Sequence, residues 1–547
     1  MPRATPHVRR PVVFAAIVGL LVVAAGAFIA LRVTGGPDSA ASSDSGASYA
    51  EAVAGAWQRI NPLYANTNEV DSDLSQLIFT GLVGIGPHGS PTPGLAGLPA
   101  ISDSGRTYTF KLRPGIKWQD GQPVTSADVA FTIQQLTSPD FKGDPSLAAG
   151  WIGVDVTTPN PQTVVATLKQ PSAPFLARNA TIGILPQHLL AGLTPAQLYD
   201  APFNTAPIGT GPYRLQSIDS QSATLEANHS YIGGTPGIQH LSLQFYSDYS
   251  SALRALESGQ AEGLMVREPV TEAQAAELRS VKNVHVVQPQ GGDYTVLYLN
   301  NGEATFSDPR VREAISVAID RKALVDRVYF GVATPSSSPV APGSWAYDGQ
   351  FDTTTANLDK AKQLLAQAGW KEDPSTHILV RNGAEFRFTI RTDDDPTRVA
   401  VANEVARQLE PLGIRTVVAS TAFSVLRNDF LQNRKYDAAV ATWAQGADPD
   451  PYFGWHSSQI GPAGLNLANF SDSVADTLIA KGRTSTEKDV RVSVYQQFQQ
   501  IWQQTAPSVV LAYPGYLYAY SSSIKGVALG VLFNTSLRFA NIQEWHE

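Results

Sequence analysis

The stretch that decides the fold class runs from Phe386-Arg-Phe-Thr-Ile390 through Arg398 to Leu409 and Ile414-Arg-Thr-Val-Val418 to Tyr436-Asp-Ala-Ala-Val-Ala-Thr442. The first and third segments read as strands, the second as a helix and the fourth as a buried strand. Strand and helix in alternation predict α/β layering. Just upstream, Asn357 to Ala368 reads as a helix with Leu364 and Leu365 inward and Gly369 as its stop. Ser307-Asp-Pro309 is a helix start, because proline at the first helical position lacks an N–H that would be unpaired anyway. Val311, Ala314, Ile315, Ala318 and Ile319 follow as one apolar stripe.

Nearer the N-terminus, Tyr108 to Arg113 and Thr163 to Leu168 read as strands, and Thr125 to Leu136 as a helix opening on an N-cap candidate. Pro114-Gly115 and Asp120-Gly121 are turn signals flanking Ile116-Lys-Trp118. The length of 547 residues predicts three or four domains or lobes. A hydrophobic content of 43% with 16% charged residues fits a globular chain. The net charge of −8 argues against a nucleic-acid partner, whose phosphates demand a basic face.

Arg3, Arg9 and Arg10 precede an uncharged run from Pro11 to Leu31, 21 residues in all. At about 1.5 Å per residue this run spans the roughly 30 Å of a bilayer core. The leading arginines place the N-terminus in the cytoplasm and the remainder outside. Residues 1–32 are therefore expected to be a cytoplasmic tip and one transmembrane anchor, with a cleaved signal peptide as the alternative, and 33–48 a flexible Gly/Ser/Ala linker. Cysteine is absent, so neither a disulfide nor a lipid-modified cysteine is available, and the apolar run is the expected anchor.

Catalytic signatures are missing. No Gly-x-Ser-x-Gly elbow occurs, and no histidine pair has metal-site spacing, so no metal and no cofactor is expected. Gly209-Thr-Gly-Pro-Tyr213 lacks the Lys-Ser/Thr of a phosphate loop and reads as a tight turn. Ala318-Ile-Asp-Arg321 reads as a solvated or inter-helix ion pair.

Several patterns fall in a set order: Asn61-Pro-Leu-Tyr64, Gly105 to Thr125 with Lys117-Trp-Gln-Asp-Gly121, Gly209 to Tyr213, Ala255-Leu-Glu-Ser-Gly259, Phe306-Ser-Asp-Pro-Arg-Val-Arg312, and Asp448-Pro-Asp-Pro-Tyr452. From about Tyr49 onward the chain resembles the family-5 extracellular solute-binding proteins of ABC importers, the oligopeptide- and dipeptide-binding type. The resemblance implies a two-lobe, hinged periplasmic-binding-protein fold with an extra inserted domain. Lobe I would comprise 49–85, 206–299 and 507–547, the inserted domain 86–205, and lobe II 300–506. Tyr294 to Asn300 and Ser508 to Tyr513 would cross between the lobes. It further implies capture of a peptide or similar solute by hinge closure, delivery to an ABC permease with separate ATPase subunits, and a monomer. An exported hydrolase for peptides or glycans and a ligand-sensing receptor are the competing readings.

The loop Thr442 to His456 follows a buried strand, where open α/β sheets place ligands. Trp443, Tyr452, Phe453 and Trp455 are expected to wall an apolar pocket and Asp448 or Asp450 to receive a cation or hydroxyl, with Asn466 and Asn469 as further candidates. Tyr298 and Asn300 would face the cleft from the crossing strand, and Tyr64 and Asn66 from a first-lobe loop. Peptide binders of the family commonly carry an aspartate three positions after the tryptophan, for the peptide amine. Here that position is Gly446, which puts a free peptide N-terminus as the main anchor in doubt.

Overall fold

The computed structural model describes residues 46–267 and 270–547, so the expected membrane helix lies outside the described residues. Among those described, no helix is long and apolar enough to cross a membrane.

Two sheets organise the chain. The first has the order Val284–Val287, Leu517–Ser521, Gly263–Val266, Ser48–Ala54, His240–Tyr246, Ser222–Ala227 and Tyr213–Ile218. Its central strand Ser48–Ala54 runs parallel to both neighbours. The second has the order Ala333–Pro335, Ser508–Pro514, Tyr294–Leu299, Ala438–Trp443, Arg387–Asp393 and Arg415–Thr421. Here Arg387–Asp393 is parallel to both neighbours, so the C-terminal ends of three strands gather on one edge. A separate four-stranded sheet, Ala100–Ser102, Thr107–Lys111, Thr163–Thr167 and Asp155–Asn160, lies within the region expected to be inserted.

Local chemistry explains the elements. The helix Pro396–Leu409 starts where Asp395 accepts from the Arg398 N–H, with Pro396 in its first turn. Thr125 and Asp128 form a reciprocal capping box for Ser126–Leu136. Gly209 and Gly211 sit against the end of the helix Glu69–Ile78: an added Cβ would lie 1.8 Å from the Ile78 carbonyl oxygen at Gly209 and 2.5 Å from that of Leu77 at Gly211. That close backbone approach is the reason for the glycines.

The strands expected to cross between lobes do not cross. Tyr294–Leu299 pairs with Ala438–Trp443 on one side and Ser508–Pro514 on the other, and all six of its residues are buried. Both strands belong wholly to the second sheet. The chain passes between the sheets at residues 288–293 and 515–516. A fully buried strand carries no mark of which sheet owns it.

The family motifs with arginines also resolve into packing. Arg312 is buried and donates to the carbonyls of Phe306, Ser307, Thr505 and Ala506, tying one helix start to the end of another. Arg321 is not in a solvated ion pair: it is 1% exposed and donates to the carbonyls of Val510, Ser316 and Ile319. Burial lowers its pKa to about 10, and the charge of Asp352 only partly opposes this. Asp320 instead caps the helix Arg321–Val328 through the Ala323 N–H.

Candidate ligand cleft

A cavity of about 580 Å³ lies between parts far apart in sequence. The helix Glu69–Ile78 contributes Ser72, Ser75 and Gln76, the preceding loop Asn66, and the region expected to be inserted Arg178 and Thr181. The second lobe contributes Gly446 and Ala447, and the C-terminal segment Phe533, Asn534 and Ser536. A smaller cavity of about 220 Å³ sits beside the second passage, lined by Thr295, Tyr329, Arg398, Thr442 and Gly515. On one flank the region expected to be inserted touches the second lobe: the His88 Nδ1 lies 2.8 Å from the Gly343 carbonyl oxygen, and the Ala173 N–H donates to the Arg483 carbonyl at 2.9 Å.

The loop after Ala438–Trp443 alternates between open and buried. Thr442, Ala444 and Gly446 are exposed, whereas Gln445 and the run Ala447 to Asp450 are buried. A Cβ added at Gly446 would meet nothing within 4 Å. The loop is pinned from behind by Asp293, in the first passage, which accepts the Gln445 N–H at 2.9 Å. Burial raises the Asp293 pKa to about 6, and the Gln445 N–H only partly opposes this.

Asp448 does not face a ligand. Both of its oxygens are held by Arg491, at 2.7 and 2.8 Å, and the pair is buried. Burial opposes the Arg491 charge, yet the Asp448 carboxylate outweighs it and holds the guanidinium pKa above its ordinary value. Asp450 pairs with Arg483 and accepts the Tyr452 N–H at 3.2 Å, while Arg178 stands 4.0 Å away.

Most of the other expected contacts are engaged inside the protein. Asn300 and Asn469 are brought together at 2.8 Å, and Asn300 also donates to the carbonyls of Arg434 and Tyr436. Asn466 is fully buried and bonded to the backbone of His456 and Phe470. Tyr298 is in the core, stacked on Trp455. Tyr64 packs on Phe141 and Tyr199 in the first core, with its pKa raised by burial to about 12. Tyr452 lies under the Arg483 guanidinium and bonds Ser458 through its hydroxyl. Trp443 is half-buried against Gly454. Asn66 alone of the expected contacts lines the larger cavity, its amide donating to Asp144 at 2.7 Å.

Sequence reasoning missed Arg178, Phe533 and Asp293. No local pattern marks Arg178. Phe533 follows a glycine-containing segment, Gly526 to Gly530, whose bend against Pro87 and Glu544 brings the C-terminal chain over the cavity.

The family described as bacterial extracellular solute-binding proteins, family 5 Middle, matches residues 90–462. The chain belongs to this family. Oligopeptide-binding protein AppA of Bacillus subtilis (strain 168) is 29% identical over 493 residues, 89% of either chain. A putative ABC transporter peptide-binding protein of Brucella ovis is 31% identical over 385 residues, 67% of this chain and 68% of its own. The structure of Bacillus subtilis AppA with a nonapeptide matches with a TM-score of 0.62 at 28% identity, covering 92% of this chain and 99% of that one. NikZ of Campylobacter jejuni with Ni(L-His) matches with a TM-score of 0.65 at 25% identity, covering 91% and 99%. This member of family 5 is thus a solute-binding protein of the kind that serves ABC importers, acting outside the cytoplasm.

Proposed function

We propose that this family-5 protein captures a peptide or a similar small solute in the larger cavity, leaves it chemically unchanged and hands it to an ABC permease. The observation that carries the reading is a cavity of about 580 Å³ walled by the first lobe, the inserted region and the Gly446 loop of the second lobe. That size is usual for a ligand site, about 300–1,000 Å³. Asn66 and the backbone at Gly446 are its proposed contacts, with Trp443 supporting the loop from behind. Residues 288–293 and 515–516 are the proposed hinge, and closure is favoured because the solute touches both lobes only when they approach. The apolar run Pro11 to Leu31 is the proposed tether.

Incubation of the protein with a defined peptide mixture, followed by mass spectrometry of what is retained, tests this. Retained intact peptides are expected. Cleaved products would replace the receptor reading with a hydrolase, and retention of metal chelates or haem with no peptide would change the solute. Micromolar retention corresponds to about −8 kcal/mol.

A further inference from the structure

The larger cavity has an unusual charge balance. Among the described residues that line it, Arg178 alone is charged; the others are apolar or neutral polar groups such as Ser75, Gln76 and Asn534. An ammonium entering the cavity meets no lining carboxylate. Gly446 offers none, and Asp448 and Asp450 are turned to Arg491 and Arg483.

Arg178 itself is left under-used. Its side chain is 34% exposed and makes no hydrogen bond among the described residues. Its ion-pair partner is Asp450, at 4.0 Å, which is beyond hydrogen-bond reach. Asp450 is already neutralised by Arg483, and the Phe453 ring lies 5.7 Å from the Arg178 guanidinium carbon. A planar fork of donors is therefore held at the cavity wall with its hydrogen-bonding capacity open. That geometry suits a carboxylate, which accepts two parallel N–H bonds.

We propose that Arg178 is the charge-selecting contact of the cavity and meets a carboxylate on the bound solute. The inference rests on the cavity being the solute site. Because Arg178 belongs to the inserted region while its neighbour Asp450 belongs to the second lobe, a bound carboxylate also places a charge at the seam between them.

The test uses the full-length protein and one synthetic peptide mixture in four forms. The C-terminus is a free carboxylate or an amide, and the N-terminus is free or acetylated. Wild type is expected to retain the carboxylate forms about 30-fold better than the amides, the scale of removing one partner of a desolvated charge pair. Acetylation is expected to change retention little. Arg178→Gln should erase the preference for the carboxylate, and Arg178→Lys should keep part of it, since it restores the charge without the fork. An unchanged melting temperature for Arg178→Gln shows that folding is not the cause. Equal retention of amides and carboxylates by wild type, or a preference that survives Arg178→Gln, overturns the inference and leaves peptide capture standing. Retention of no peptide in any form removes peptide capture and the inference with it.

Discussion

Arg538 and Arg491 both hold buried carboxylates, but they join different things. Arg538 is completely buried and grips Asp73 through two bonds of 2.5 and 2.6 Å and Glu51 through one of 2.7 Å. Asp73 also receives Arg267 at 2.9 Å, and Glu51 receives the Tyr518 hydroxyl at 2.8 Å. This cluster stitches three chain segments into one lobe. Arg491 and Asp448 are 43 residues apart and belong to one stretch of the second lobe. Contacts that reach the second lobe from the region expected to be inserted are of another grade: a histidine against a carbonyl, a backbone bond, and the 4.0 Å approach of Arg178 to Asp450. Among the described residues, these strong ion pairs lie within a lobe, and the contacts from His88, Ala173 and Arg178 to the second lobe are weak.

Removing Arg538 should break that contrast most severely. Arg538→Met leaves two carboxylates buried without their shared cation, and breaking a buried pair typically costs about 3–5 kcal/mol. Chemical denaturation should show a loss at or above that range; a loss under 1 kcal/mol would mean that the cluster does not hold the lobe. Arg491→Met should cost somewhat less, about 3 kcal/mol, because the pair is smaller and its rim reaches solvent. Its loss should appear in the second lobe, seen as faster hydrogen exchange around Ala438–Trp443 with little change in the first sheet.

Asp293 sharpens the comparison, as a half-buried carboxylate with no ion pair among the described residues. Its carboxylate accepts the Gln445 N–H. A carboxyl pKa raised to about 6 stabilises the folded state fully below the unfolded value near 4, and that contribution is lost as pH rises through about 6. Asp293→Asn should therefore stabilise the protein at pH 7.5, on the order of 1–2 kcal/mol, and bring no gain at pH 4.5. Denaturation curves at the two pH values check the sign. The smallest effect belongs to Arg178→Ala, expected within about 1 kcal/mol of wild type, as for other partly exposed charges. A larger loss would make it a structural staple.

The regular elements were legible because periodicity is local. The helix expected at 398–409 occurs as Pro396–Leu409, and the strand expected at 436–442 as Ala438–Trp443. Which sheet owns Tyr294–Leu299 was not legible, since six buried residues suit any central strand. The site was harder still. Asp448 looks open in the sequence because its partner Arg491 arrives on a later helix, and Asn300 and Asn469 find each other across 169 residues. Gly446 was readable as a departure from the family, whereas the single charge of the cavity, Arg178, comes from a segment with no motif at all.

The clamp between Glu51 and Arg538 spans 487 positions of the chain. The central strand of the first sheet is therefore made long before its counter-charge. Contacts of such separation form slowly, because a long loop must close before they reward the chain. Until then, Glu51 and Asp73 have no Arg538 to neutralise them, and the lobe is not complete. The first lobe therefore gains its central clamp only after the long intervening chain has been brought together.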